Sequence, residues 1–398
     1  MITLADVADA RERVAAIERP TPVRSSDSIS AAAGRTVLLK PEHQQRTGSY
    51  KVRGAYNRIS RLPPDVEVVA ASAGNHAQGV AFAATATGHR ATIFMPLGAS
   101  LPKVEATRGY GAEVRLAGEI VDDTLLAARA FALETGAVFV APFDDPLIVA
   151  GQGTVGLELA DEAPEAEVVV VPVGGGGLIA GVATALAQVR PGLKVVGVEA
   201  EGAAAMVAAL AAGRPVALDT VATMADGIAV RSVSELTLAH VQAHVDEVVP
   251  VTEEEISRAL LLLLERAKAV VEPSGAVGLA AVLAGKVSGR GPACCILSGG
   301  NVDPLLLMKL IHHGLTGAGR YLVLRVVIPD RPGELARLTA RLALLRINVL
   351  DVEHHRSGAQ MAFDEVEVHL TLETRSPVHG AEIVAALAAD GTRVEVVR

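Results

Sequence analysis

Val168-Val169-Val170-Val171-Pro172-Val173 runs straight into Gly174-Gly175-Gly176-Gly177-Leu178. A continuous apolar run bounded by glycine fits a strand buried on both faces, as in a parallel sheet covered by helices. The glycines then open a helix. Bare backbone N–H groups at a helix N-terminus bind phosphate, and glycine lets a ligand approach the chain closely. Another reading competes, because Gly175, Gly177 and Ala180 satisfy a dinucleotide fingerprint, with Glu199 ending the next strand about 20 residues on. A third is a tight turn without a ligand. Against a dinucleotide, the fingerprint lies mid-chain and gives no role to Lys51 or to the loop at Ser298.

Outward from this stretch, strands and helices alternate. Residues 36–40, 66–71, 91–95, 113–116, 138–140, 167–173, 194–198, 247–251 and 292–297 read as strands. Residues 4–17, 51–60, 75–86, 101–109, 120–135 and the long run 253–271 read as helices. This spacing predicts βαβ units and a largely parallel sheet, the α/β class. Such sheets bind ligands at the C-terminal ends of their strands. Three polar or glycine-bearing stretches fall at those turns: Ser72-Ala73-Gly74-Asn75-His76, residues 174–177, and Ser298-Gly299-Gly300-Asn301.

A fourth stretch, Thr47-Gly48-Ser49-Tyr50-Lys51-Val52-Arg53-Gly54, contributes a lysine. Lysine does covalent chemistry when burial or nearby charge makes its amine neutral enough to attack a carbonyl. Alone, Lys51 reads as a surface lysine beside Arg53. Beside the three turns, it makes a pyridoxal-phosphate site the leading reading.

Composition narrows the field. The net charge of −9 argues against general nucleic-acid binding. No run of 18 apolar residues and no basic-then-apolar leader is present, so neither a membrane span nor a signal peptide is expected. The two cysteines, Cys294 and Cys295, are neighbours that point to opposite faces of a strand, so a reducing cytoplasm fits.

The character changes after residues 314–319, a glycine-rich linker. A strand at 321–328 leads into Asp330-Arg331-Pro332-Gly333, with Asp330 expected to cap a helix over 334–346. Strands at 348–355 and 365–373, a helix at 381–389 and a strand at 393–397 complete a βαββαβ, ferredoxin-like order. The expected domains are therefore 1–319 and 320–398.

The sequence resembles the fold-type II (tryptophan synthase β-like) pyridoxal-phosphate enzymes, most closely threonine dehydratases with a single C-terminal ACT domain. The resemblance covers essentially the whole chain. Ser49-Tyr50-Lys51-Val52-Arg53-Gly54 matches the family pattern S-[FY]-K-x-R-G, and residues 72–79 read SAGNHAQG. Residues 174–178 read GGGGL and 298–303 read SGGNVD.

The resemblance implies a two-lobed catalytic domain and pyridoxal 5'-phosphate as cofactor. Lys51 would carry it covalently and then act as the base at Cα. Gly174, Gly175, Gly176 and Gly177 would hold its phosphate, Asn75 its ring hydroxyl oxygen, and Ser298 its pyridine nitrogen. Ser72 and its turn, with Asn75, would bind the substrate carboxylate. Tyr50 would pack beside the ring or serve as a core aromatic, and His76 would be structural. Glu272 sits near the cofactor in relatives, or serves as a helix-boundary carboxylate. His312-His313 and His354-His355 look like surface pairs and poor metal sites, since neighbours on a helix or strand point apart.

Two departures stand out. Serine racemases carry a second serine where this chain has Ala73, so racemisation should be poor. Some relatives bind a divalent cation within G-V-E-x-x-x-A-x-D. Glu199 and Ala203 match that pattern, but Ala205 replaces the aspartate, which puts the cation in doubt.

The resulting expectation is β-elimination on L-threonine, and more weakly on L-serine, giving a 2-oxo acid and ammonia. Serine or hydroxyaspartate dehydration, a nicotinamide-dependent oxidoreductase, and a regulatory amino-acid-binding protein with an inactive core stand as alternatives. The ACT resemblance implies a homo-oligomer, tetramer or dimer, and a branched-chain amino-acid effector. That effector would sit at the loop containing Gly333, beside Asn348.

Overall fold

The structure is a computed structural model that describes residues 1–317, 319–356 and 362–397. The chain divides into two compact units, Met1–Leu307 and Met308–Arg398.

The strands are β1 (Arg24–Ser25), β2 (Val37–Lys40), β3 (Val68–Ala71), β4 (Ala91–Met95), β5 (Glu113–Leu116), β6 (Val138–Phe139) and β7 (Val168–Pro172). They continue with β8 (Lys194–Ala200), β9 (Glu247–Val251), β10 (Ala293–Ile296), β11 (Tyr321–Pro329), β12 (Val349–His355), β13 (Glu365–Glu373) and β14 (Arg393–Val396). The first unit holds two sheets, ordered β1-β2-β10-β7-β8-β9 and β5-β4-β3-β6. All their pairings are parallel except that of the short edge strand β1 with β2. Every residue of β7 is buried, as its unbroken apolar run requires.

One long helix, Pro146–Glu162, lies in a stretch to which the sequence reading assigned no element. Asp145 caps it by accepting the N–H groups of Leu147 and Ile148, and Pro146 takes the first turn. Gly151, Gly153 and Gly156 cost helix propensity, and packing explains them. A Cβ on Gly151 would lie 2.6 Å from Gly54 Cα, and one on Gly153 would lie 2.9 Å from Gly181 O. The missing side chains let this helix press against Lys51–Ile59 on one side and Gly177–Val189 on the other. It thereby seats the helix that begins with Lys51.

Three local expectations are corrected. The run 253–271 is not one helix: Glu253–Leu262 is α, Leu263–Ala267 is a π turn, and Lys268 turns left-handed at φ 56°. This turn frees the chain to bring Glu272 under Gly299, whose carbonyl accepts the Glu272 N–H at 3.0 Å. The glycines of 314–319 do not all form a linker, because Gly314 and Gly317 lie within the helix Pro304–Gly317. Asp330 does not cap the helix Glu334–Leu344; Gly333 stands at that position with φ 95°. Asp330 instead donates its N–H to Asp364 O and pairs with Arg356.

The second unit has the expected ferredoxin-like order, with an antiparallel sheet β12-β13-β11-β14. Alternation decides its faces. Leu324, Val326, Ile328, Val366, Val368, Leu370 and Leu372 point inward against Leu338, Leu342, Ile383 and Leu387. No helix among the described residues is long and apolar enough to cross a membrane.

Candidate active site

Two of the three turns expected to share a site, 72–76 and 174–177, line one cavity of about 460 Å³, within the range of small-ligand pockets. Lys51, Ser72, Asn75 and all four glycines 174–177 line it. Ser298 sits behind that lining: its carbonyl accepts the Tyr50 N–H at 3.2 Å, and its hydroxyl lies 3.5 Å from Ser274 O.

Lys51 opens its helix, and its amine donates to Pro142 O at 3.0 Å. Burial pushes this amine down to about 8, while the Glu272 carboxylate pulls in the other direction. An amine so placed has an accessible neutral form near physiological pH, which separates it from a surface lysine. The Tyr50 ring lies beside it, with the amine 5.5 Å from the ring centroid.

Asn75 and its neighbours tie the turns together. The Asn75 amide donates to Glu272 Oε1 at 2.6 Å, and its carbonyl oxygen accepts from Asn301 at 2.8 Å. Asn301 also donates to Thr47 O at 2.7 Å. Ser274 donates to the same Glu272 oxygen at 2.7 Å. Burial pushes the Glu272 carboxyl up, and these hydrogen bonds oppose that. His76 faces Val140 O at 2.9 Å, and burial together with the Lys51 charge holds it down at about 3. It is a neutral imidazole that lines the cavity. The Ser72 hydroxyl accepts the Gly74 N–H at 3.1 Å, which shapes the turn before the helix Asn75–Thr87.

Whether these residues suit a phosphorylated cofactor can be read from the glycine loop. It ends at the N-terminus of the 13-residue helix Gly177–Val189, whose first N–H groups have no partner within the helix and whose first residues, Gly177 and Leu178, line the cavity. A Cβ at Gly174 would lie 2.9 Å from Ile228 Cα, and at Gly175 2.1 Å from the Phe143 ring. Gly176 adopts φ 89°, and a Cβ there would approach Met206 and Thr237 within 3.0 Å. The loop therefore admits no side chain. A bare-amide cradle and a depressed amine in one cavity fit pyridoxal phosphate.

Several lining residues escaped the sequence reading. Pro142 and Phe143 lie in an irregular stretch just before Asp145, with no motif to mark them. Lys103 and Asp226 form an ion pair at the cavity from separate elements, Leu101–Gly109 and the 3₁₀ turn Asp226–Ile228. Their spacing of more than a hundred residues leaves no local signal.

The doubtful cation ligands have other partners. Glu199 accepts the N–H groups of Met206 and Val207 at 2.8 and 2.9 Å, capping the helix Ala205–Ala212, and burial pushes it up to about 7. Ala203 is buried nearby and offers only backbone. Among the described residues no His, Cys, Asp or Glu pair joins Glu199 in a three-ligand group. In the second unit, the Asn348 amide donates to Glu373 at 3.0 Å, and a Cβ on Gly333 would meet open space.

Comparison with known proteins agrees with this geometry. Residues 14–299 match the family of pyridoxal-phosphate dependent enzymes, and residues 322–389 match the ACT domain. The chain is 46% identical to an L-threonine ammonia-lyase of Thermotoga maritima, covering 100% of both chains. Among solved structures it is similar to a T.th. threonine deaminase, at TM-score 0.73 and 42% identity, over 76% of this chain and 99% of that one. It is also similar to maize serine racemase, at TM-score 0.74 and 36% identity, over 79% of this chain and 98% of that one. With a lysine and a glycine cradle meeting in one cavity, and a family match over most of the first unit, the chain belongs to the fold-type II pyridoxal-phosphate dependent enzymes and carries a C-terminal ACT domain.

Proposed function

We propose that the protein is a threonine ammonia-lyase that converts L-threonine to 2-oxobutanoate and ammonia, with weaker action on L-serine. The observation that carries this reading is the Lys51 amine, held near 8 inside the cavity that the glycine loop and the Ser72 turn also line. Likeness over the full length to an L-threonine ammonia-lyase supports it.

Bound pyridoxal phosphate supplies the electron sink for charge left at Cα. The chain's own groups do the rest. The glycine amides and the N-terminus of the helix Gly177–Val189 hold the phosphate. The Ser72 hydroxyl and the first amides of the helix Asn75–Thr87 receive the substrate carboxylate. Lys51 Nζ takes the Cα proton, a task suited to a base near the working pH. The β-hydroxyl departs as water, and that water is returned when the released enamine hydrolyses, which balances the reaction. Ser298, behind the lining, and Asn75, already bonded to Glu272 and Asn301, orient the cofactor ring. Ala73 offers only a methyl, so this position supplies no acid to return a proton to the other side of Cα. The test is a 2-oxo acid assay on purified protein with L-threonine and L-serine. Absence of 2-oxobutanoate sinks the proposal.

The ACT unit is assigned a regulatory role, in a cytoplasmic homo-oligomer of two or four chains. A branched-chain amino acid binds at the loop containing Gly333, whose open space admits a ligand backbone, and Asn348 is assigned to the same site. Such an effector changes affinity by about 5–150-fold, or 1–3 kcal/mol of coupling. Kinetics with millimolar isoleucine, valine and leucine test this, and an unchanged response to all three refutes the sensing role.

A further inference from the structure

The second unit carries a group of metal-ligating side chains with no part in the chemistry above. Two Glu-x-His motifs, Glu353-His354-His355 and Glu367-Val368-His369, lie on neighbouring antiparallel strands. The register sets Glu353 opposite His369 and His355 opposite Glu367, so the motifs run head to tail. Alternation puts all four side chains on the sheet face opposite the one that packs Val366, Val368 and Leu370. His354, paired with Val368, points the other way.

The four side chains form a compact array. The His355 and His369 rings meet edge-on with centroids 5.0 Å apart. His355 Nε2 stands 3.3 Å from Glu353 Oε2, and His369 Nε2 contacts Glu367 Oε1. One ligand atom from each of Glu353, His355 and His369 lies within 4.8 Å of the others, and this is the one such three-residue group among the described residues. In a tetrahedral zinc site with arms of about 2.0–2.1 Å, neighbouring ligand atoms stand about 3.3 Å apart. The Glu353–His355 edge already has that length, and the remaining edges, within 4.8 Å, close by side-chain movement of at most about 1.5 Å. Arg325, from β11, holds Glu367 at 3.4 Å and also pairs with Glu395. Two carboxylates against one guanidinium leave the array favourable to a dication.

We propose that Glu353, His355 and His369 bind one divalent transition-metal ion of the zinc class, with Glu367 orienting His369. Two imidazoles and a carboxylate suit zinc, nickel or copper, and suit magnesium and calcium poorly, because those ions take oxygen ligands. A ligand set of three leaves a position open to water. The ion fastens β12, whose residues are largely exposed along the edge of the sheet, to β13.

The test is calorimetric titration of ZnCl₂, and separately MgCl₂, into tag-free, chelator-treated full-length holoenzyme. Zinc is expected to bind at one equivalent per chain and magnesium not to bind. His355→Ala and His369→Ala should each weaken zinc by at least about tenfold, and Glu353→Gln should weaken it too. Metal-free turnover should stay at the wild-type value in all three, since none of these residues touches the cavity. Circular dichroism of each variant establishes that it is folded. Absence of zinc binding, binding unaltered in the folded His355→Ala/His369→Ala double variant, or magnesium binding of equal strength would overturn the proposal. The array would then be a pair of ordinary Glu–His hydrogen bonds, one along each strand.

Discussion

Asn75 and Glu272, 197 residues apart, are joined by a 2.6 Å hydrogen bond from the Asn75 amide to a carboxylate oxygen, beside the Lys51 amine. Glu272 opposes the effect of burial on that amine. The neutral fraction of the lysine, and with it covalent capture of the cofactor, should rise with pH through about 8 and level off above it. In Glu272→Gln the opposing charge is gone, so the midpoint should move to lower pH. Stopped-flow absorbance of apoenzyme mixed with pyridoxal phosphate across pH reads it directly. A midpoint that stays in place would show that Glu272 is uncharged beside Lys51.

Lys51→Ala should abolish both turnover and covalent attachment, since Lys51 is the lysine that lines the cavity between the Ser72 turn and the glycine loop. After borohydride reduction of the wild type, mass spectrometry should place the cofactor on the peptide containing Lys51. A label on Lys103, the other cavity lysine, would refute the assignment.

Gly176→Ala imposes a left-handed conformation on a residue with a Cβ, at a cost of about 1–2 kcal/mol. The added Cβ also meets Met206 at 2.8 Å. Cofactor affinity should fall by about tenfold or more. Fluorescence titration of the apoenzyme measures this, and an unchanged dissociation constant would mean that the loop does not hold the phosphate.

Arg53 is wholly buried, yet it bonds Glu42 through two nitrogens, reaches Thr154 and Glu18, and contacts Glu158. Lys40, equally buried, joins the network through Glu158 and Glu162. Removing one partner leaves buried carboxylates without their cation, which costs about 3–5 kcal/mol. Arg53→Met should therefore lower the denaturant midpoint by that equivalent. Because Arg53 shares a helix with Lys51, the same change should reduce turnover in the protein that remains folded. A loss within experimental error would show that the network is dispensable.

Ala73 lines the cavity beside Ser72 with no polar atom on its side chain. D-serine formed from L-serine should be negligible beside dehydration, despite the likeness to a serine racemase in fold. Ala73→Ser should gain measurable racemisation. Chiral chromatography of timed reactions separates the two products, and comparable rates in the wild type would contradict the assignment of roles.

Local chemistry made much of this protein legible from its sequence. The valine run of β7 has to be buried, four consecutive glycines have to bare their amides, and the turns that follow β3, β7 and β10 fall where parallel sheets bind ligands. Lys51 stood out only through its company. The alternation of β11 and β13 likewise fixed which face of the second unit is its core. Tertiary structure decided what depends on partners distant in the chain. The glycine-laden helix Pro146–Glu162 reads poorly by propensity and exists because its bare faces let two other helices close in. Phe143 stands against Gly175, and Glu272 reaches Asn75, only because separate strands end at one place. His355 looks like half of a surface pair with His354, since neighbours on a strand point apart. Strand register gives it His369 instead, and register is set by pairing between strands, which no single strand's sequence contains.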